Sequence, residues 1–239
     1  MIQVGNQFEE TYLALRRKEG RIYSDEEVKW LPSVDTSHPF FAEWRIRKRS
    51  CDKLTRYLRN KKQCLKILEV GCGNGWLCSQ LSKIEHSTVT GIDINETELK
   101  QAQRIFGKID NLEFLTAGIA DERIQYRKFD IIIFAASIQY FPSLDEIISS
   151  CLQMLNANGE IHILDSHFYS DSGSVTARNR SEKYFQSLGF SQMTQHYFHH
   201  EVQQLKKYNF KILYNPSWMR RIFTIDKNPF PWLCIMRRY

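Results

Sequence analysis

The chain has 239 residues, of which 42% are hydrophobic and 13% aromatic, and it carries a formal net charge of +6 at pH 7. That length suffices for one domain with a full hydrophobic core, and no apolar run approaches the roughly 18 residues that a membrane span requires. The six cysteines form no CxxC pair, and the first residues lack the basic segment and apolar core of a signal peptide. The composition argues against a membrane protein and a cysteine zinc site, and it predicts a soluble cytoplasmic protein with reduced thiols.

The charge is unevenly distributed along the chain. Basic residues are in excess over residues 1–62 and 206–239, and acidic residues are in excess between them. Basic ends can attract nucleic acid, anionic lipid or an acidic small molecule. They can equally be solvated faces of the fold, so the charge pattern alone leaves the partner open.

Residues 1–64 are predicted to form a helical N-terminal extension that covers the rest of the chain. Within it, apolar side chains recur at helical spacing, at Trp44, Cys51, Leu54 and Leu58. Arg47 falls on the same apolar face, and a buried guanidinium needs a partner. That partner can be the carboxylate of a ligand, an acidic substrate or a structural salt bridge.

A glycine-rich turn follows the first predicted strand, Leu65 to Val70. The turn contains Gly71, Gly73 and Gly75, and it leads into a predicted helix over 77–84 and a second strand that ends in Asp93. Glycines permit unusual backbone angles and let the main chain approach a ligand closely, and an acid at the end of the second strand can accept hydrogen bonds from a ribose diol. The arrangement predicts a site for a nucleoside-bearing cofactor.

The spacing of the glycines distinguishes between cofactors. A dinucleotide site has the pattern GxGxxG, whereas this turn reads GxGxG, with Glu69 two residues before it and bulky Trp76 after it. A carboxylate works against a pyrophosphate at a helix N-terminus and suits a cofactor with cationic groups. The pattern resembles the class I S-adenosylmethionine-dependent methyltransferases, whose first motif is typically (E/D)xGxGxG.

The resemblance implies a set of cofactor-binding residues. The methionine part and the sulfonium would be surrounded by Glu69, Gly71, Cys72, Gly73 and Gly75. Asp93 would accept both ribose hydroxyls, Ile94 would pack on the adenine, and Arg47 is a candidate for the carboxylate of the cofactor.

The third motif departs from the family pattern. The family usually has an acid a few residues beyond the third strand, here predicted over 112–115, and that place holds Gly118. The main-chain N–H of Ile119 can still reach the adenine. Asp121 either supplies the missing carboxylate or is an ordinary loop residue.

The remaining elements alternate between helices and strands. Asn95 is predicted to cap a helix, Phe129 to Phe134 reads as a strand buried on both faces, and a helix over 144–155 precedes a fifth strand over 161–165. This alternation predicts an α/β fold with a doubly wound, mostly parallel sheet.

The chain after the fifth strand does not continue this alternation of helices and strands. Residues 166–198 form a predicted cap insertion with one helix over 178–188, followed by a helix over 199–208 and strands over 210–214 and 232–236. By the resemblance, residues 65–239 form a Rossmann-like domain with seven strands, of which the last is antiparallel.

Candidates for catalysis come from the ends of strands four and five. Small Ala135 and Ala136 would leave room beside the cofactor, and Tyr140 can line the pocket or pack in the core. His167 follows the fifth strand, and a neutral imidazole there can take a proton from a hydroxyl, although a histidine in this place can also be an ordinary loop residue. No metal site is predicted.

The function predicted from these motifs is transfer of a methyl group from S-adenosylmethionine to an oxygen or nitrogen of a small molecule. The chain lacks the sequence Asn/Asp-Pro-Pro-aromatic, which in similar families accompanies methylation of amino groups in nucleic acids or proteins. RNA or another macromolecule is the alternative acceptor, reached through the basic termini. A regulatory module that binds the cofactor without catalysis is an alternative from another class, and the oligomeric state is left open.

Overall fold

The computed structural model describes residues 2–216 and 228–237. Its eight α-helices within those ranges are α1 (Ile2–Lys18), α2 (Asp25–Trp30), α3 (Phe41–Arg59), α4 (Trp76–Leu81), α5 (Glu96–Phe106), α6 (Glu122–Gln125), α7 (Leu144–Met154) and α8 (Asp171–Leu188). The strands are β1 (Leu65–Val70), β2 (Ser87–Asp93), β3 (Leu112–Thr116), β4 (Phe129–Ala135), β5 (Leu155–Leu164), β6 (Asn209–Tyr214) and β7 (Trp232–Met236).

The seven strands form one sheet in the order β3-β2-β1-β4-β5-β7-β6. The first five run parallel, and β7 is antiparallel to both of its neighbours, β5 and β6. The predicted α/β fold with an antiparallel last strand is therefore confirmed.

The central strands have apolar side chains on both faces, and these alternate between two cores. Ile131 and Ile133 of β4 belong to the cluster that contains side chains of α3, α4 and α5. Ile132 and Phe134 point the other way, into the cluster that contains side chains of α7. Because side chains alternate along a strand, a continuous apolar run is what a sheet covered on both faces requires.

Two elements begin several residues before the sequence predicts, and α4 ends at Leu81 instead of the predicted Ile84. β5 begins at Leu155, where asparagine and glycine over 156–159 predict a turn, because Leu155 pairs with Phe129 before the register shifts. α8 begins at Asp171, seven residues before the predicted start. Its first two turns are rich in small and polar residues and so lack the apolar periodicity on which the prediction relies.

The predicted helix over 199–208 is a 3₁₀ helix, Val202–Lys207. A second 3₁₀ helix, Ser191–His196, packs against α1, where Leu15, Phe185 and Met193 form a small separate core. α3 buries Trp44 and Leu54 against the main core, as its apolar spacing predicts. In the described part of the chain, no helix has the length and apolar character needed to cross a membrane.

Candidate functional site

A cavity of about 630 Å³ lies at the carboxyl ends of β1, β2 and β4. Its lining falls into a glycine turn, an acidic edge after β2, a small-residue edge after β3 and an aromatic wall. The residues of these parts include Gly71, Gly73, Asp93, Ile94, Asn95, Glu98, Ala117, Gly118, Ile119, Ala136, Ser137, Phe8, Tyr12, Tyr140, Phe141 and His196. In sheets of this kind, ligands bind at this edge of the strands.

The glycine turn between β1 and α4 has a backbone that other residues adopt only under strain. Gly71, Gly73 and Gly75 have φ angles of +74°, +51° and +75°. A Cβ atom on Gly71 would lie 2.6 Å from the Cβ of Ser137, and one on Gly75 would lie 2.6 Å from the ring of Phe114. The glycines therefore serve both the left-handed turn and the close approach of neighbouring elements, and Gly71 and Gly73 leave main chain at the cavity surface.

Asp93 lies at the end of β2 with its carboxylate at the edge of the cavity. Its Oδ2 accepts a hydrogen bond from the N–H of Gly73 at 2.7 Å, and its Oδ1 accepts one from the N–H of Asn95 at 2.8 Å. Burial raises the pKa of Asp93, whereas these main-chain donors lower it. Each oxygen can accept a further hydrogen bond, so the carboxylate can bind a diol while it fixes the turn.

The edge after β3 is built from small and apolar residues. Ile94, Ala117, Gly118 and Ile119 line the cavity there, and a Cβ on Gly118 would meet nothing within 4 Å. Asp121 lies outside the lining: it caps α6 and forms an ion pair with Arg123. The geometry therefore gives no support to Asp121 as a substitute for the acid that the third motif lacks.

Glu69 and Cys72 lie beneath the glycine turn and are buried. The Sγ of Cys78 donates to the Oε2 of Glu69 at 2.8 Å, and burial raises the pKa of Glu69 to about 8. Burial likewise raises the pKa of the Cys72 thiol to about 11. Neither side chain is part of the cavity lining, so in this structure both support the turn from below.

Two further predicted site residues also lie outside the lining. Ala135 ends β4 and precedes Ala136, which does line the cavity. Arg47 forms an ion pair with Glu43 at 2.9 Å on the same helix. A structural salt bridge was one of the three partners that the sequence allowed for Arg47. Binding of the cofactor by Arg47 stays a prediction.

The aromatic wall combines residues from distant parts of the sequence. The ring of Phe8 lies 5.9 Å from that of Tyr12, 6.0 Å from that of Tyr140 and 5.0 Å from that of His196, centroid to centroid. Tyr12 meets Tyr140 edge to face at 5.8 Å. Tyr140 combines the two positions that the sequence left open: it lines the cavity and packs against the small core of Leu15, Phe185 and Met193. Sequence reasoning missed Phe8 and Tyr12, although their four-residue spacing is a helical signal.

His167 does not line the cavity. Its ring packs against that of Phe230 at 4.6 Å and that of Tyr169 at 5.7 Å. Among the residues that the structure describes, His196 is the one histidine in the cavity lining. The position of His167 thus gives no support to its predicted role as the base.

Glu160, His162 and Cys234 lie close enough together to hold a metal ion, but their hydrogen bonds point to a structural role. The indole N–H of Trp232 donates to Nδ1 of His162 at 3.1 Å, so Nε2 carries the proton and faces Glu160. The ammonium of Lys61 also pairs with Glu160 at 2.8 Å. A protonated Nε2 is not a metal ligand, and the lysine already supplies the cation.

A seven-stranded sheet with this strand order, a glycine turn after β1 and an acid after β2 defines a Rossmann-like domain that binds a nucleoside-bearing cofactor. The model of the family described as "Methyltransferase domain" matches residues 61–215. The chain belongs to this methyltransferase family, and the predicted resemblance to class I S-adenosylmethionine-dependent methyltransferases is confirmed.

Curated relatives carry methyltransferase names. The chain is 33% identical over 107 residues to a ubiquinone biosynthesis O-methyltransferase of Pasteurella multocida, a match that covers 40% of this chain and 44% of that protein. It is 26% identical over 117 residues to a malonyl-(acyl-carrier protein) O-methyltransferase 2 of Ilyobacter polytropus, covering 48% and 45%. The chain thus spans less than half the length of these relatives.

Solved structures share the fold at low identity. The plantazolicin methyltransferase BpumL, in complex with a triazolic desmethylPZN analog and SAH, is 17% identical with a TM-score of 0.57, and the match covers 100% of both chains. The magnesium protoporphyrin IX methyltransferase of Synechocystis PCC 6803 with bound SAM is 15% identical with a TM-score of 0.57, covering 90% of this chain and 92% of that one.

Proposed function

We propose that this chain transfers a methyl group from S-adenosylmethionine to an oxygen or nitrogen of a small, partly apolar acceptor. The observation that carries the proposal is that one cavity joins the glycine turn and Asp93 to a wall of aromatic side chains. Its volume of about 630 Å³ lies within the range of about 300–1,000 Å³ that is usual for small-molecule sites.

The residues on the glycine side suit the cofactor. Gly71 and Gly73 present main chain without a side chain, and the Asp93 carboxylate is held by two main-chain donors with acceptor capacity to spare. Ile94 and Ile119 give apolar surface for a flat ring system on the edge beyond Asp93. When bound, S-adenosylmethionine supplies a methyl group that is already activated by its sulfonium.

The residues on the other side suit an acceptor with an apolar body. Phe8, Tyr12 and Tyr140 give an aromatic surface on which a planar or aliphatic group can pack. Methyl transfer depends chiefly on alignment of the two reactants in a water-poor pocket. Curated relatives that are named as O-methyltransferases support oxygen as the nucleophile.

A hydroxyl acceptor must lose its proton, and His196 is the group in this cavity best suited to accept it. Its imidazole lines the cavity, edge-on to Phe8 at 5.0 Å. An imidazole nitrogen can take a proton from a hydroxyl without a metal ion. We therefore infer that His196, rather than His167, has the role of general base.

The first experiment is calorimetric titration of the purified chain with S-adenosylmethionine, its demethylated product and NAD. Micromolar binding of the first two without binding of NAD supports the proposal. Binding of NAD instead, or of none of the three, overturns it.

The second experiment measures methyl transfer from labelled S-adenosylmethionine to a panel of phenols, carboxylates and amines. With a hydroxyl acceptor, His196→Asn should lower kcat at least about 100-fold, and His167→Asn should leave it nearly unchanged. If His167→Asn instead lowers kcat and His196→Asn does not, His167 is the general base. Cofactor binding without turnover on any acceptor would favour the regulatory module.

A further inference from the structure

Glu98 places a second carboxylate in the cavity, and the glycine motif and its partner Asp93 do not account for it. It lies in the first turn of α5, and its side chain is part of the cavity lining. A Cβ atom on Gly73 would lie 3.3 Å from its Oε2, so the carboxylate lies against the middle of the glycine turn. Gly73 is thereby flanked by Glu98 and by Asp93, which accepts its N–H.

Helix capping does not account for the whole Glu98 side chain. The capping hydrogen bond at this terminus runs from the main-chain N–H of Glu98 to the side chain of Asn95 at 3.0 Å. The carboxylate receives a longer hydrogen bond, 3.3 Å from Nδ2 of Asn95 to Oε2. A neutral glutamine could accept that bond equally well, so the hydrogen bonds of the cap do not require the negative charge.

The charged and titratable groups around Glu98 come from three elements. Asp93 lies at the end of β2, Glu9, Tyr12 and Arg16 lie on α1, and Arg47 lies on α3. The two arginines already have carboxylate partners, Glu19 for Arg16 and Glu43 for Arg47. Burial, reinforced by Asp93, raises the pKa of Glu98 to about 7. Two acids thus share one cavity, where a cationic ligand would favour the ionised form of Glu98.

We propose that Glu98 is a second cofactor-binding carboxylate, which acts with Asp93 to favour the cationic cofactor over its neutral-sulfur product. The inference rests on the proposed function, because it assumes that S-adenosylmethionine enters this cavity. S-Adenosylmethionine carries one more positive charge than the demethylated product. A second anion at the cavity wall therefore attracts the cofactor more strongly than the product, because charges interact more strongly in a partly buried site than in bulk water.

The test compares Glu98→Gln with Glu96→Gln by calorimetric titration with S-adenosylmethionine and S-adenosylhomocysteine. Glu96 lies on the same helix turn, but it is exposed, pairs with Lys100 and does not line the cavity. At pH 8, Glu98→Gln should weaken binding of S-adenosylmethionine about tenfold, the effect of one charge-assisted contact, and should change binding of the product by less than about twofold. Glu96→Gln should change neither.

The pH dependence gives an independent readout. In the wild type, the preference for S-adenosylmethionine over its product should rise between pH 6 and pH 8, as Glu98 ionises, and S-adenosylmethionine should release protons on binding near pH 7. Glu98→Gln should flatten that rise, and Glu98→Asp, which keeps the charge, should retain it. Thermal melts check that each variant is folded.

The outcomes separate the two proposals. If the wild type binds neither ligand, both the proposed function and the role of Glu98 fail. If it binds both ligands and Glu98→Gln keeps the wild-type preference at every pH, only the role of Glu98 is overturned. If Glu98→Gln does not fold, Glu98→Asp is the deciding variant. Loss of the pH-dependent rise in its preference for S-adenosylmethionine would also overturn the role of Glu98.

Discussion

The guanidinium of Arg16 donates a hydrogen bond from Nη2 to the phenolic oxygen of Tyr140 at 3.1 Å, across 124 residues of sequence. The same guanidinium lies 4.8 Å from the ring centre of Tyr12 and pairs with Glu19. These contacts join the N-terminal helix to the short 3₁₀ helix after β4, Ile138–Tyr140, and both tyrosines line the cavity. The wall on the proposed acceptor side therefore depends on how α1 is attached.

Arg16→Met should loosen α1, because it removes a partly buried charged hydrogen bond worth about 1.5–3 kcal/mol. We expect amide hydrogen exchange over residues 8–18 to become faster by at least about tenfold, and cofactor binding to weaken. Arg17→Met is the matched control on the exposed side of the same helix. Equal exchange in the two variants would show that the contact with Tyr140 does not hold the helix.

Asp93→Asn should weaken cofactor binding by about tenfold or more, since a hydrogen bond to a charged acceptor is worth about 1.5–3 kcal/mol. The amide keeps one acceptor oxygen for the main chain and loses the other, so the turn can persist while the diol loses its anion. Titration calorimetry measures the change, with Glu96→Gln as the control acid. An unchanged affinity would remove Asp93 from the cofactor site.

Gly71→Ala should destabilise the fold more than alanine at either of two other glycines. Gly189 has a φ of +84° and open space where a methyl group would be added, so its alanine variant isolates the backbone cost of about 1–2 kcal/mol. Gly118 has open space without the unusual angle, and its variant should be nearly neutral. Gly71 has a φ of +74°, and a methyl group added there would also clash with Ser137, so its alanine variant combines both costs.

Calorimetric melting separates these contributions. A loss of 1 kcal/mol lowers the melting temperature of a chain of this size by about 2–4 °C. The expected order of melting temperatures is Gly118→Ala above Gly189→Ala above Gly71→Ala. A Gly71→Ala variant as stable as Gly189→Ala would mean that Ser137 moves away at no cost.

Glu69→Gln should change how stability depends on pH. Burial raises the pKa of Glu69 to about 8, above its value in an unfolded chain, so the folded state binds more protons than the unfolded state between about pH 4.5 and 8. Stability due to this group is therefore present below pH 4.5 and is lost as the pH rises through that window. Glutamine does not ionise, so the variant does not lose stability in this way as the pH rises.

Urea unfolding at pH 5, 6, 7 and 8 tests the sign of that dependence. The free energy of unfolding of Glu69→Gln, relative to that of the wild type, should increase at each step. The same difference for the exposed Glu96→Gln should stay flat. A constant difference for Glu69→Gln would mean that Glu69 ionises normally in the folded protein.

Much of the parallel part of the fold follows from local sequence. The apolar run of β4, the glycine turn and the Asn95 cap of α5 each carry their own signal, and the structure confirms all three elements. Boundaries are predicted less well where pairing outweighs local preference, as at Leu155, or where a helix begins with small polar residues, as at Asp171. Local signals alone do not include those tertiary contacts.

The sequence by itself determined the family, the glycine turn and the position of Asp93, because Glu69 to Asp93 lie within one strand–turn–helix–strand unit that fixes their spacing. Only the tertiary structure brought Phe8, Tyr140 and His196 to one wall and turned Glu98 toward the glycine turn while it buried Glu69 beneath it. The wall is assembled by packing between separate elements, and no spacing along the chain encodes which face of a helix meets a cavity.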